Sequence, residues 1–201
     1  MIDLIISLDG YASADGWPGL WGVESPEYLQ WVESQDTEYD VLMGATTYRV
    51  MSGFAAQVPD DPGFVQMAQM PKVVFSSTLS EPLSWPNTTL VQGDPVEWVR
   101  SRKESGDRPM RTLGSLSVCR ALLSAGLVDS FRVVVFPFIT GATGQERIFD
   151  GYPDVALELV ESRTFAPGLQ LLEYVPTLLD RPPAGGIVTR PAPGPESESG
   201  S

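Results

Sequence analysis

The sequence predicts a single α/β domain: a mixed sheet with flanking helices and a C-terminal antiparallel hairpin. Two patterns carry that prediction. Through roughly the first 130 residues, short apolar runs alternate with capped helical segments, the order that builds parallel strands joined by helices. Towards the end, Leu157–Phe165 and Leu169–Tyr174 flank Ala166-Pro167-Gly168, where proline followed by glycine fits a type II turn.

Each element has its own local reason. Ile2, Leu4, Ile6 and Leu8 alternate, with Ile5 also apolar, so residues 2–8 read as a mostly buried strand. Ser25-Pro26-Glu27 supplies an N-cap and a first-turn proline, and Tyr28, Leu29, Trp31 and Val32 continue at helical spacing. Val41-Leu42-Met43 is a short strand leading through Gly44-Ala45-Thr46-Thr47 into a helix. Lys72–Phe75 is a strand ending in Ser76-Ser77-Thr78. Asp94-Pro95-Val96-Glu97 starts a helix that runs to about Glu104. Met110–Leu113 is a strand, Gly114-Ser115 opens a helix through Leu122 and Leu123, and Gly126 closes it. Residues 131–139 are strongly β-prone.

Composition narrows the function. The formal charge is −13, and the first 48 residues hold nine acids and no Lys or Arg, an acidic balance that suits neither a nucleic-acid binder nor an anionic membrane surface. No apolar run approaches the ~20 residues that cross a bilayer, and Met1-Ile2-Asp3-Leu4 does not read as a signal peptide, so a cytoplasmic protein is expected. The absence of histidine excludes Ser-His-Asp chemistry, His-ligated zinc and an imidazole base, and the lone Cys119 builds neither an internal disulfide nor an all-cysteine metal site; no metal is expected. From Arg181 the chain turns Pro-, Gly- and Ser-rich, so residues 1–180 are expected to form the domain and 181–201 a disordered tail.

Three strand ends run into small polar residues: Gly44-Ala45-Thr46-Thr47, Ser76-Ser77-Thr78 and Gly114-Ser115-Leu116-Ser117. The expectation is that each opens a helix. Helix N-termini offer free N–H groups and partial positive charge, and in open α/β sheets ligands bind beyond the carboxyl ends of the strands. Three such corners suit a nucleotide without any basic patch, although neither G-x-G-x-x-G nor a P-loop motif occurs.

The order of several short motifs is informative. Ile5-Ile6-Ser7-Leu8-Asp9-Gly10-Tyr11-Ala12, Val41-Leu42-Met43-Gly44-x-x-Thr47-Tyr48, Val73–Leu79, Leu113-Gly114-Ser115-Leu116, Gly126-Leu127-Val128-Asp129, Phe136-Pro137-x-x-x-Gly141 and Arg163-Thr164-Phe165 occur in sequence. Together they resemble the dihydrofolate-reductase-like superfamily, closest to the reductase domain of bacterial riboflavin synthesis. The resemblance covers roughly residues 1–175. It implies a dihydrofolate-reductase-like fold and a reductase that passes hydride from NADPH to a C=N or C=O group of a small heterocycle. NADH is the second cofactor choice, and a flavin or deazaflavin the third.

On that resemblance Gly44, Thr46 and Thr47 hold adenine-side phosphates, and Ser76 and Ser77 line the adenosine and its 2′-phosphate. Gly114, Ser115, Leu116 and Ser117 wrap the pyrophosphate. Ala12 and Gly16 approach the nicotinamide, while Trp21 and Tyr48 contact substrate. Asp9 is the first candidate for proton relay or substrate orientation, with Glu27 the second. Because Asp9 ends a buried strand, partial desolvation is expected to raise its carboxyl pKa. Tyr28, Trp31, Trp17 and Trp21 are candidates to stack on a flat substrate.

Two positions depart from the folate reductases. Ala45 stands where those enzymes usually carry an arginine for the 2′-phosphate, and Arg49 lies one turn later. Glu27 is offset by about one residue from their pterin-binding carboxylate, so folate is not the expected substrate. A non-catalytic nucleotide-binding module is the alternative from another functional class. The resemblance further implies a homodimer.

Overall fold

The structure, a computed structural model, describes residues 1–16, 25–35, 38–106 and 108–181. Its strands are β1 (Ile2–Ser7), β2 (Tyr11–Ala14), β3 (Asp40–Gly44), β4 (Lys72–Phe75), β5 (Thr88–Val91), β6 (Met110–Thr112), β7 (Phe131–Phe136), β8 (Gly144–Arg147), β9 (Val155–Phe165) and β10 (Leu169–Leu178). Its helices are α1 (Pro26–Glu33), α2 (Ala45–Gln57), α3 (Pro62–Gln69), α4 (Pro95–Ser105) and α5 (Leu116–Ser124).

Two four-stranded sheets, β5-β4-β3-β6 and β1-β7-β10-β9, meet edge to edge. The Met1 amino group donates to the Met110 carbonyl at 2.8 Å, and the Thr112 amide donates to the Met1 carbonyl at 3.1 Å. That alternation is the bonding pattern of a parallel ladder, so β6 and β1 join the halves into one mixed sheet. Only β10 runs against its neighbours; β7 is parallel to β1, and β9 returns antiparallel to β10. A separate ribbon, β2 with β8, hangs beyond the carboxyl ends of β1 and β7.

Side-chain alternation sends each strand's apolar groups to both faces. Ile2, Leu4 and Ile6 of β1 pack with Val99 of α4 and with Val118, Cys119, Leu122 and Leu123 of α5. Ile5, Val134, Phe136, Leu169 and Leu171 pack with Tyr28 and Trp31 of α1. Val41, Met43 and Val74 pack under α2 and α3. Burying each fully enclosed aliphatic side chain contributes about 1.5–3 kcal/mol.

The caps explain the helix starts. Ser25 accepts from the Tyr28 amide at 3.3 Å, and Asp94 from the Val96 amide at 2.9 Å. At the end of α5, Gly126 adopts φ +66° and the Leu127 amide reaches the Leu122 carbonyl at 3.1 Å, the closing bond of a Schellman motif. The expected strands and hairpin are present within a residue or two at most ends, with the hairpin extended to Val155 and Leu178.

Two expectations need correction. The hairpin turn is not type II: Ala166-Pro167 is cis, and the Gly168 amide bonds the Phe165 carbonyl at 2.7 Å, which puts proline third in the turn, as in type VI. Nor does Ser76-Ser77-Thr78 open a helix. The Ser76 hydroxyl accepts from the amides of Thr78 and Leu79, both at 3.1 Å, closing a local turn on the way to β5.

Candidate active site

All the parallel strands leave the sheet at one rim. In the order β4, β3, β6, β1, β7, that rim presents Ser76, Gly44, Gly114, Asp9 and Thr140. Strand order reverses between β3 and β6. From β3 the chain moves outward to β4, whereas from β6 it crosses by α5 to β7. Such a reversal opens a crevice between helices on opposite faces.

The Gly44 and Gly114 corners touch. The Ser115 hydroxyl accepts from the Gly44 amide at 2.5 Å and donates to Thr47 Oγ1 at 2.7 Å. A Cβ at Gly114 would sit 3.3 Å from Thr47 Oγ1, and one at Gly44 would sit 3.3 Å from Ser115 Oγ. Neither α2 nor α5 has a capping side-chain bond at its N-terminus. The early amides of both helices therefore face the rim without an intrahelical acceptor, which is the chemistry that receives an anion. Thr46 and Ser117 are exposed there, while Leu116 rests on the core.

The third corner is linked through α2. Arg49 Nη2 donates to Thr78 Oγ1 at 3.3 Å, placing a guanidinium beside half-buried Ser76 and exposed Ser77. The three polar corners thus form one continuous band.

Asp9 stands further along the rim, where it ties the exit of β1 to that of β7. Its carboxylate accepts from the Ser7 hydroxyl at 2.7 Å, the Gly141 amide at 2.8 Å and the Thr140 amide at 3.2 Å. The Ser7 hydroxyl first, and then the two amides, hold the Asp9 carboxyl down at about 2. This reverses the expected upward shift: hydrogen bonds to the charged form outweigh desolvation, and Asp9 is ionised at neutral pH. Ala12 lies in β2, packed against the core, and Gly16 follows that strand at φ +76° with open space beside it.

Other expected site residues are placed elsewhere. Tyr48 is buried, its hydroxyl 3.1 Å from Ser84 Oγ and accepting from the Trp85 amide at 3.2 Å, so it anchors α2 to the 84–85 segment. Glu27 accepts from the Ala166 amide at 3.1 Å, tying α1 to the hairpin turn. Tyr28 and Trp31 pack on Phe165, with ring centroids 5.6 and 5.8 Å away, and are spent on the core. Trp17 and Trp21 lie outside the described residues. Thr140 and Gly141, which complete the Asp9 cluster, were not among the expected site residues. Their signal is the Phe136-Pro137-x-x-x-Gly141 motif, which lies opposite Asp9 once β1 and β7 pair.

This fold, with its band of helix ends at the point of strand reversal, is that of a riboflavin-type reductase domain. The chain belongs to the RibD C-terminal domain family, whose model matches residues 1–171. The uncharacterised Bacillus subtilis protein YyaP is 22% identical over 180 residues, spanning 87% of this chain and 93% of that one. A riboflavin biosynthesis protein from Shewanella sp. PV-4, described as putative, superposes with TM-score 0.66 at 20% identity, over 88% of this chain and 97% of that chain. A bifunctional diaminohydroxyphosphoribosylaminopyrimidine deaminase/5-amino-6-(5-phosphoribosylamino)uracil reductase from Thermotoga maritima superposes with TM-score 0.59 at 16% identity; 88% of this chain is covered but only 56% of that one. Among the described residues, no helix is long and apolar enough to cross a membrane.

Proposed function

We propose that this chain is an NADPH-dependent reductase that delivers hydride to a C=N or C=O carbon of a small heterocycle. The observation that carries the reading is the contact between the Gly44 and Gly114 corners, which turns two uncapped helix ends into one phosphate cradle. The early amides of α2 and α5 bind the pyrophosphate, and the two glycines leave room for its approach. Arg49, Ser76 and Ser77 receive the 2′-phosphate, so the guanidinium held at Thr78 serves where Ala45 offers no charge. When bound, the nicotinamide supplies the hydride.

The remaining residues position and shape. Asp9, ionised and clamped by Ser7, Thr140 and Gly141, orients the loops beside the reacting carbon, and water supplies the proton. Glu27 keeps α1 against the hairpin at the edge of the same region.

Fluorescence titration with NADPH, NADH, FMN and a deazaflavin tests the reading. Saturable NADPH binding with altered nicotinamide emission is expected; flavin-only binding would reassign the cofactor, and no response would favour a binding module without turnover. Arg49→Ala should weaken NADPH about tenfold, the range of a lost charge-assisted hydrogen bond, and leave NADH unchanged. Equal losses for both cofactors would remove Arg49 from 2′-phosphate recognition.

The working form is a homodimer built on β9. This edge strand exposes Leu159 and Val160 at 55% and 62%, and among the described residues the hairpin beyond Tyr174 has no third strand beside it. A long apolar edge of this kind associates unless it is covered. Leu159→Glu is expected to convert a dimer to monomer in light scattering; a wild-type chain that is monomeric at tens of micromolar would sink this assignment.

A further inference from the structure

Ser115 adopts φ +63°, ψ +70°, a left-handed conformation that a residue with a Cβ rarely takes. It stands at the N-cap of α5, yet its hydroxyl does not cap its own helix. The oxygen accepts the Gly44 amide instead, and its hydrogen goes to Thr47 in the first turn of α2. Strained backbone persists where surrounding contacts over-determine it. Here those contacts run to a different helix, on the far side of the sheet.

We infer that Ser115 is a positioning residue that fastens the start of α2 to the start of α5, so that the two sets of amides receive one phosphate group together. The inference rests on the dinucleotide reading above. With its hydroxyl taken up by Gly44 and Thr47, Ser115 does not serve as a phosphate donor through its side chain, and neither does the Gly44 amide. What remains for the ligand are the amides further into each first turn, whose separation depends on this fastening. Without it, the α2 and α5 ends keep only van der Waals contacts, such as those of Thr47 beside Gly114 and Val118 beside Gly44, and shift relative to each other at the rim.

The left-handed backbone separates the two roles of the residue. Glycine is at home at this φ and alanine is not. Ser115→Gly should therefore melt above Ser115→Ala, since both lack the hydroxyl and differ only in how well they tolerate this backbone. Both lack the hydroxyl, so both should bind NADPH about tenfold more weakly, the scale of one lost hydrogen bond to a preorganised site. Affinity would follow the hydroxyl while stability follows the backbone. Thr47→Val, which removes only the acceptor of the Ser115 proton, should lose affinity in the same direction.

Wild-type affinity in Ser115→Gly would overturn the inference, as would an affinity loss confined to Ser115→Ala. Should the wild-type chain bind no dinucleotide, the reductase reading fails separately. The fastening is then judged by hydrogen exchange at the Gly44 amide: slow in wild type and fast in Ser115→Gly supports it, and equal rates overturn it.

Discussion

Replacing Asp3 with alanine is expected to destabilise the protein by about 3–5 kcal/mol, the scale of stripping one partner from a buried ion pair. Arg132, its side chain only 4% exposed, grips the Asp3 carboxylate with Nε at 3.0 Å and Nη2 at 2.9 Å. Arg111 approaches the same carboxylate from β6, and the Arg132 guanidinium lies 4.8 Å from the Trp31 ring centroid. Alanine at position 3 would leave two guanidinium groups sharing a partly dry site, one of them beneath α1. For a chain of this length the loss lowers Tm by roughly 10 °C, measurable by urea and thermal unfolding. A cost under about 1 kcal/mol would show the cluster to be solvated and dispensable.

The same carboxylate gives a pH signature. Burial pushes its pKa up, but the hydrogen bonds from Arg132 and the charge of Arg111 more than reverse this, leaving it below the ordinary 3.8. A group whose pKa is depressed on folding stabilises the native state above its unfolded pKa, and that contribution fades as pH falls through the folded value. Wild-type stability should therefore decline below about pH 4, with a flatter profile in the Asp3 variant.

Gly114→Val is expected to cost NADPH at least about a hundredfold in affinity, together with roughly 1–3 kcal/mol of stability for a branched residue held in the left-handed region. Gly114 sits at φ +56°, and an added Cβ would meet the Thr47 hydroxyl at 3.3 Å and its methyl at 3.4 Å. A branched side chain there presses on the contact between the two helix starts. Gly53→Ala provides the control: its added Cβ meets nothing within 4 Å, and it lies inside α2. That change should be neutral or stabilising by up to about 1 kcal/mol, with unchanged affinity. If Gly114→Val titrates like wild type, the phosphates do not lie at this corner.

The sheet was readable because its cues are local. Serine or aspartate followed by proline marks the starts of α1 and α4, and Gly126 marks the end of α5. Asp61-Pro62 opens α3 by the same rule, with the Asp61 carboxylate accepting from the Phe64 amide at 3.1 Å, so that helix too carries its cue in the sequence. The strands β2, β5 and β8 are four residues each and partly polar, too short for a period of two to stand out. The cofactor corners were visible as small residues after strands. Their joining through Ser115 was not, because it depends on β3 and β6 becoming neighbours across 71 residues. The Asp9 pKa is partly local: its largest cause is the Ser7 hydroxyl two residues before it, whereas the amides that add to it lie 131 and 132 residues away, which the local sequence does not contain. Tyr48 follows the Met-Gly motif closely, yet the helix turns its ring towards Trp85 and away from the rim.

The placement of β1 has a consequence for assembly. β1, the earliest strand of this domain in chain order, becomes an interior strand, and its flanking partners come from positions around 110 and 131–136. Asp3 must wait for Arg111 and Arg132, 108 and 129 residues further on, before its charge is answered. Loop-closure entropy is thus spent before the central ladder gives any return, which favours slow, late and cooperative folding over growth outward from β1. Chains that stop short of β6 and β7 would carry Ile2–Ser7 as an unpaired apolar strand, the form most open to chaperones and to aggregation.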